Sequence, residues 1–244
     1  MNINYLSQQR KKSRRPGFYP DNYSIKKVEN NILILHSCKL LNSYYNPEEG
    51  IIALILDGKE MRTTNSLLKL GPILKKLIII ESNKQTYNEL SNKISSENYN
   101  NIELHNCLMD RYLNKIEFNP NINVVYFDLM ETFFSSSISH GSDHAINLFL
   151  QKVEADEIIF AATFCLRSIH QSKFDIEEKK ILLFLGKIFL GNGFQYKQLN
   201  YTKKMRYKGQ RANNKALMFV LYKLTRDKNE NIINNFLIRF FNHE

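Results

Sequence analysis

Residues 51–83 read IIALILDGKEMRTTNSLLKLGPILKKLIIIESN. An apolar run over 51–56 stops at Asp57 and Gly58, a polar turn through Lys59 and Glu60 leads into helical spacing, and a second apolar run over 77–80 ends at Glu81. Strands buried on both faces read as unbroken aliphatic runs, whereas a half-exposed strand alternates. The stretch therefore predicts strand, turn, helix and strand, the form of a nucleotide-binding βαβ unit. An acid about 20 residues beyond the first strand can accept hydrogen bonds from both hydroxyls of a ribose, and Glu81 stands at that place.

Outward from this unit the alternation continues. Strands are expected at 51–56, 77–80, 102–105, 124–127 and 158–164, and helices at 63–70, 84–94, 143–153 and 176–190. Two further strands, 194–201 and 216–224, are joined by a polar, basic loop. Right-handed crossovers place such a chain in a doubly wound, mostly parallel α/β sheet with a C-terminal antiparallel hairpin. Its ligand crevice lies beyond the carboxyl ends of the strands, where strand order reverses. Asp57, Glu81 and Asp128 all fall at such ends and are expected to converge there.

The organisation expected is a basic arm over 1–23, a lead-in over 24–49, the Rossmann-like domain over 50–225 and a helical tail over 226–244. The lead-in holds an apolar run at 32–35 and a Tyr-rich segment at 40–45, and its periodicity fits helix and strand equally. A chain of 244 residues with 43% hydrophobic side chains builds one full core. The net charge of +10 favours polyanionic partners. Two clusters carry that excess: Arg10, Lys11, Lys12, Arg14 and Arg15 in the arm, and Lys203, Lys204, Arg206, Lys208 and Arg211 in the loop 203–211. The arm reads equally as a phosphate-binding or localisation segment and as a solvated terminus. If the sixth strand runs parallel to the others, the loop lies at the crevice mouth.

Cys38, Cys107 and Cys165 are widely separated and form no CxxC pair, against a disulfide framework or zinc ribbon. No apolar run reaches membrane-spanning length, and no signal segment follows the first basic residues. A soluble intracellular protein, cytoplasmic or nuclear, is expected; nothing sets its oligomeric state. His140, Asp143 and His144 offer an i, i+4 histidine pair without a third strong ligand, so a loop entering a helix is preferred to a metal site. Asp57 is open between ligand and turn former, and Thr63 between helix cap and, with Arg62, anion contact. Phe133 and Phe134 suit base stacking or core packing alike.

The order of strands with its terminal hairpin resembles the class I S-adenosylmethionine-dependent methyltransferases over residues 45–225. LILDG, with Asp57 and Gly58, matches the first motif at the methionine end of the cofactor; IIIES, with Glu81 and Ser82, matches the second, which holds the ribose. Residues 107–110, with Leu108 and Met109, stand where the third lines the adenine, and VVYFD, ending in Asp128, matches the fourth, beside the transferred methyl. The resemblance implies S-adenosylmethionine as cofactor and Asp128 as the catalytic residue, orienting the acceptor or the donor's ammonium; with the two basic clusters it points to a nucleic-acid acceptor, RNA or DNA. Three departures accompany it. Lys59, Glu60, Met61 and Arg62 follow Gly58 where the family has a glycine turn, DLMET replaces DPPY after strand four, and a lysine-aspartate-lysine-glutamate tetrad is incomplete, with Asp128 as its acid, Arg167 near its second lysine and no glutamate in the hairpin. A methyltransferase-like nucleic-acid-binding or accessory protein without catalysis is the alternative; an NAD-linked oxidoreductase lacks its GxGxxG.

Overall fold

The computed structural model describes residues 21–115, 117–128, 142–165, 173–207 and 215–227. The arm with Arg10, Lys11, Lys12, Arg14 and Arg15, the residues Phe133, Phe134, His140 and Arg167, the loop residues Lys208 and Arg211, and the tail from 228 lie outside them. The elements are α1 (Asp21–Ser37), β1 (Ile51–Leu56), α2 (Arg62–Leu67), β2 (Leu74–Ile80), α3 (Lys84–Ser96), β3 (Ile102–His105), α4 (Met109–Leu113), β4 (Val124–Asp128), α5 (Ser142–Lys152), β5 (Glu157–Cys165), α6 (Phe174–Gly191), β6 (Phe194–Tyr207) and β7 (Lys215–Arg226).

One seven-stranded sheet runs β3-β2-β1-β4-β5-β7-β6. The first five strands pair in parallel, and β7 pairs antiparallel with both β5 and β6. The expected doubly wound sheet with its terminal hairpin is therefore present. Because side chains alternate along a strand, each strand feeds two cores. Ile51, Ala53 and Ile55 of β1 join Leu77, Ile79, Val124, Tyr126, Ile159 and Ala161 beneath α1, α2 and α3. Leu54 joins Ile78, Ile80, Val125, Phe127, Ile158 and Phe160 beneath α4, α5 and α6.

Local rules set the boundaries. The Asn83 side chain caps α3 by accepting from the Thr86 N–H, 3.0 Å away. Gly50 enters β1 at φ 61°, where a Cβ would lie 2.7 Å from the Ile73 carbonyl oxygen, so only glycine lets β1 start beside β2. Asn123 binds the Ile52 N–H, the Gly50 carbonyl and the Ser43 hydroxyl, fixing the lead-in to β1 and β4.

Four expectations need correction. Of the two readings left open for the lead-in the chain takes the helix, α1, but it starts at Asp21, inside the span expected for the arm. Its sequence periodicity is illegible because the buried side is polar at one end, with Lys27, Asn30 and Asn31, while Val28 and Ile32 stand 48% and 44% exposed. A short helix, α4, begins at Met109, where only a connecting segment was expected. Residues 203–207 extend β6, so Lys203, Lys204 and Arg206 stand on a strand; the hairpin continues to pair past the last β5–β7 pair, with Arg206 opposite Ala216. Finally, Thr63 does not cap α2, as described next.

Candidate functional site

The register aligns the three acids. Leu56 pairs with Ile80, one residue before Asp57 and Glu81, and Ile55 pairs with Tyr126, two residues before Asp57 and Asp128, so the register carries Glu81, Asp57 and Asp128 to one level of the carboxyl rim. Neighbouring strands lie about 4.8 Å apart, so the row spans about 10 Å. Strand order reverses between β1 and β4, and Asp57 and Asp128 flank that point. By strand parity, all three carboxylates face the α1 and α2 side of the sheet.

Asp57 is buried and organises the turn after β1. Its Oδ1 accepts from the Gly58 N–H at 3.0 Å, and its Oδ2 accepts from the Thr64 N–H at 2.8 Å and the Thr64 hydroxyl at 2.9 Å. Asp57 thereby takes the capping role at α2, and the Thr63 hydroxyl turns to Asn31 Oδ1. A left-handed residue does follow β1, but it is Met61 at φ 50° and ψ 36°, a conformation that a bulky side chain adopts only when its surroundings hold it. Met61 is buried in the core beneath α2, which supplies that hold. Gly58 faces outward: a Cβ on it would meet nothing within 4 Å.

Asp128 and Asp57 share a cation that sequence reasoning missed. Lys27 of α1 donates to Asp128 Oδ2 at 2.8 Å and stands 3.5 Å from Asp57 Oδ1. The side chains of Lys27, Asp57 and Asp128 are only 10%, 2% and 9% exposed. Burial alone would lower the ammonium's pKa, but Asp128 and Asp57 push it well above the usual lysine range. Lys27 has no local sequence signal that marks it for burial. Lys27 and Asp128 form one lysine-aspartate pair, while residues 194–227 contain no glutamate.

Glu81 is half-buried and lies on the other side of Asp57. Its Oε1 accepts from the Asn83 N–H at 2.6 Å. Burial pushes its carboxyl above the usual range, backbone N–H groups of Asn83 and Ser82 pull the other way, and Asp57 adds a further upward push. The Asn106 side chain donates to the Glu81 carbonyl at 2.8 Å, tying the ends of β2 and β3 together. Ser82 is exposed, Leu108 is 47% exposed at the start of α4, and Met109 is buried in the core below it. Counted together, Glu81, Asp57, Asp128 and Lys27 carry two net negative charges.

Burial pushes the Cys38 thiol up to about 12, and Cys107 is also raised by burial, so neither is poised as a thiolate. Among the described residues no cluster of three or more His, Cys, Asp or Glu could hold a metal ion, and no helix is long and apolar enough to cross a membrane. β6 runs parallel to β5, so the end of β6 that carries Lys203, Lys204 and Arg206 is directed to the same rim as the acids.

No protein-family model matches the sequence, and no curated protein matches it. The fold is similar to M. jannaschii TYW2, whose structure is a complex with AdoMet, at 14% identity over 86% of this chain and 79% of that one, with a TM-score of 0.54. It is also similar to a proposed RNA methyltransferase from Pyrococcus horikoshii (16% identity, 81% of each chain, TM-score 0.52) and to the YcgJ protein of Bacillus subtilis (11%, 80% of this chain and 99% of that one, 0.50). At such identities the likeness is one of architecture: the chain has the fold of the class I S-adenosylmethionine-dependent methyltransferases.

Proposed function

We propose that this chain is an S-adenosylmethionine-dependent methyltransferase acting on nucleic acid, RNA or DNA. The observation that carries the reading is the row of Glu81, Asp57 and Asp128 at one level of the rim, flanking the point where strand order reverses. The adenosine half of the cofactor fits the residues present. Glu81 can accept from the ribose hydroxyls, Ser82 and the open side of Gly58 border it, and the exposed Leu108 offers an apolar surface to the adenine. The two net negative charges favour a cation such as a sulfonium.

The cofactor supplies an activated methyl group when bound. Transfer of that kind is an in-line displacement in which alignment provides much of the rate. Asp57 acts by shaping the turn, and Asp128, held by Lys27, orients groups at the acceptor side of the rim. Arg10, Lys11, Lys12, Arg14, Arg15, Lys203, Lys204, Arg206, Lys208 and Arg211 would take the phosphates of the polymer, a role supported by their concentration in two clusters and by the RNA substrate class named for one similar structure.

A second reading, a nucleic-acid-binding protein without catalysis, is favoured by one observation: Lys27 already fills the gap between Asp57 and Asp128. Calorimetric titration with S-adenosylmethionine and NAD, followed by transfer of labelled methyl to total RNA and to DNA, separates the two. The methyltransferase reading expects donor binding, no NAD binding, and label in one nucleic acid that is lost in Glu81→Ala. Absence of donor binding at millimolar concentration, with salt-dependent nucleic-acid binding retained, overturns it in favour of the second.

A further inference from the structure

We infer that Lys27 occupies the position that an α-ammonium of the donor would otherwise fill, so that the site recognises the adenosine half of its ligand and is nearly indifferent to the amino-acid half. This inference rests on the donor reading proposed above. Asp57 and Asp128 flank the reversal of strand order, where a cationic ligand end entering the crevice would find carboxylates. Both already serve the protein. Asp128 Oδ2 takes the Lys27 ammonium at 2.8 Å, and Asp57 takes the Gly58 N–H on one oxygen and Thr64 twice on the other, with Lys27 3.5 Å from the first. The Lys27 stem comes from α1, with Asn30 and Asn31 buried beside it on the same helix and Thr63 bonded to Asn31. Lys27 stands between the two carboxylates, so a second ammonium would approach at close range to the first, and that repulsion offsets much of the attraction of the one negative charge the trio retains.

Recognition is left to the β2 and β3 side of the crevice. Glu81 is only half-buried, and Ser82 and Leu108 are exposed. Those groups meet an adenosine, and any ligand that keeps the nucleoside and a short 5′ sulfur substituent retains their contacts. The ligand class is therefore the 5′-thio- and 5′-sulfonio-adenosines, with Lys27 as the residue that sets this breadth.

The test compares two thioethers that share the adenosine and differ only beyond the sulfur, 5′-methylthioadenosine and S-adenosylhomocysteine, by calorimetry on the full chain. A hydrogen-bonded charge is worth about tenfold or more in affinity. The expected result is a ratio of dissociation constants below about tenfold; a larger preference for S-adenosylhomocysteine overturns the inference while leaving the donor reading standing. If neither ligand nor S-adenosylmethionine binds at millimolar concentration, the donor reading fails and takes the inference with it. In Lys27→Met the gap between the acids is vacated, and S-adenosylhomocysteine should gain about tenfold over 5′-methylthioadenosine; an unchanged ratio overturns the assignment to Lys27. Should that variant not fold, the wild-type ratio decides alone. Glu81→Gln should weaken both ligands by the same factor, and a selective loss of either overturns the division of the site into two halves.

Discussion

Replacing Lys27 with Met removes one buried charge and keeps the length of the stem. The ammonium stands 2.8 Å from one carboxylate and 3.5 Å from another. At an effective dielectric of about 20, each pair carries roughly 5 kcal/mol of gross attraction. Desolvation of three charges offsets most of that, and the measured cost of removing one partner from a buried pair is about 3–5 kcal/mol. For a chain of this size each kcal/mol moves Tm by about 2–4 °C, so thermal unfolding of Lys27→Met at pH 8 should occur about 6–20 °C below wild type. The pH dependence follows from the charges left behind. In wild type, the raised lysine contributes stability that is fully present below its ordinary pKa of 10.5 and is lost only as pH rises through the higher folded value, so this group leaves the range from pH 5 to 8 flat. In the variant two buried aspartates repel each other, which raises a carboxyl pKa in the folded state. The folded variant then binds more protons than the unfolded chain, and its stability falls as pH rises, making the deficit smaller at pH 5 than at pH 8. A loss below about 1 kcal/mol at pH 8, of the size surface ion pairs show, refutes the account. So does a loss that is the same at both pH values.

Glu81→Gln should raise Tm near pH 7, since burial holds this carboxyl above its ordinary pKa of 4.5 and the stability of its protonated form is lost as pH rises through the folded value. The gain should vanish below pH 4.5, and a destabilised variant at neutral pH would contradict the sign. Leu108→Ala, at an exposed site, should change stability by less than about 0.5 kcal/mol yet weaken adenosine ligands by about 1 kcal/mol, roughly fivefold; equal affinity in a ligand titration removes Leu108 from the site. Replacing Arg10, Lys11, Lys12, Arg14 and Arg15 with Gln should flatten the salt dependence of duplex binding by up to about 4.5 units of log K per log salt, and an unchanged slope excludes the arm from phosphate contact.

The parallel strands were legible in the sequence because burial on both faces leaves an uninterrupted aliphatic signature, as in the IIALIL of β1 and the LIII that ends β2. The acids that end these runs were legible for the same reason: a charge closes a buried strand where it reaches the rim. α1 was not, since its inward side mixes Ile34 with Lys27, Asn30 and Asn31, which breaks the apolar stripe by which an amphipathic helix is read. The missing glycine turn was visible as a departure from the family pattern, but its remedy was not. Met61 can stand in the left-handed position because the core beneath α2 encloses it.

By itself, then, the sequence determined the winding of the sheet and the residues that end its strands, because both follow from local patterns of apolar and charged side chains. Only the tertiary structure decided which charge those acids hold. Lys27 is 30 residues from Asp57 and 101 from Asp128 along the chain, and its neighbour Lys26 is the same residue type. Packing of α1 over the carboxyl rim brings one ammonium between two carboxylates, and pairing at that separation in sequence depends on long-range geometry that no window of neighbouring residues encodes.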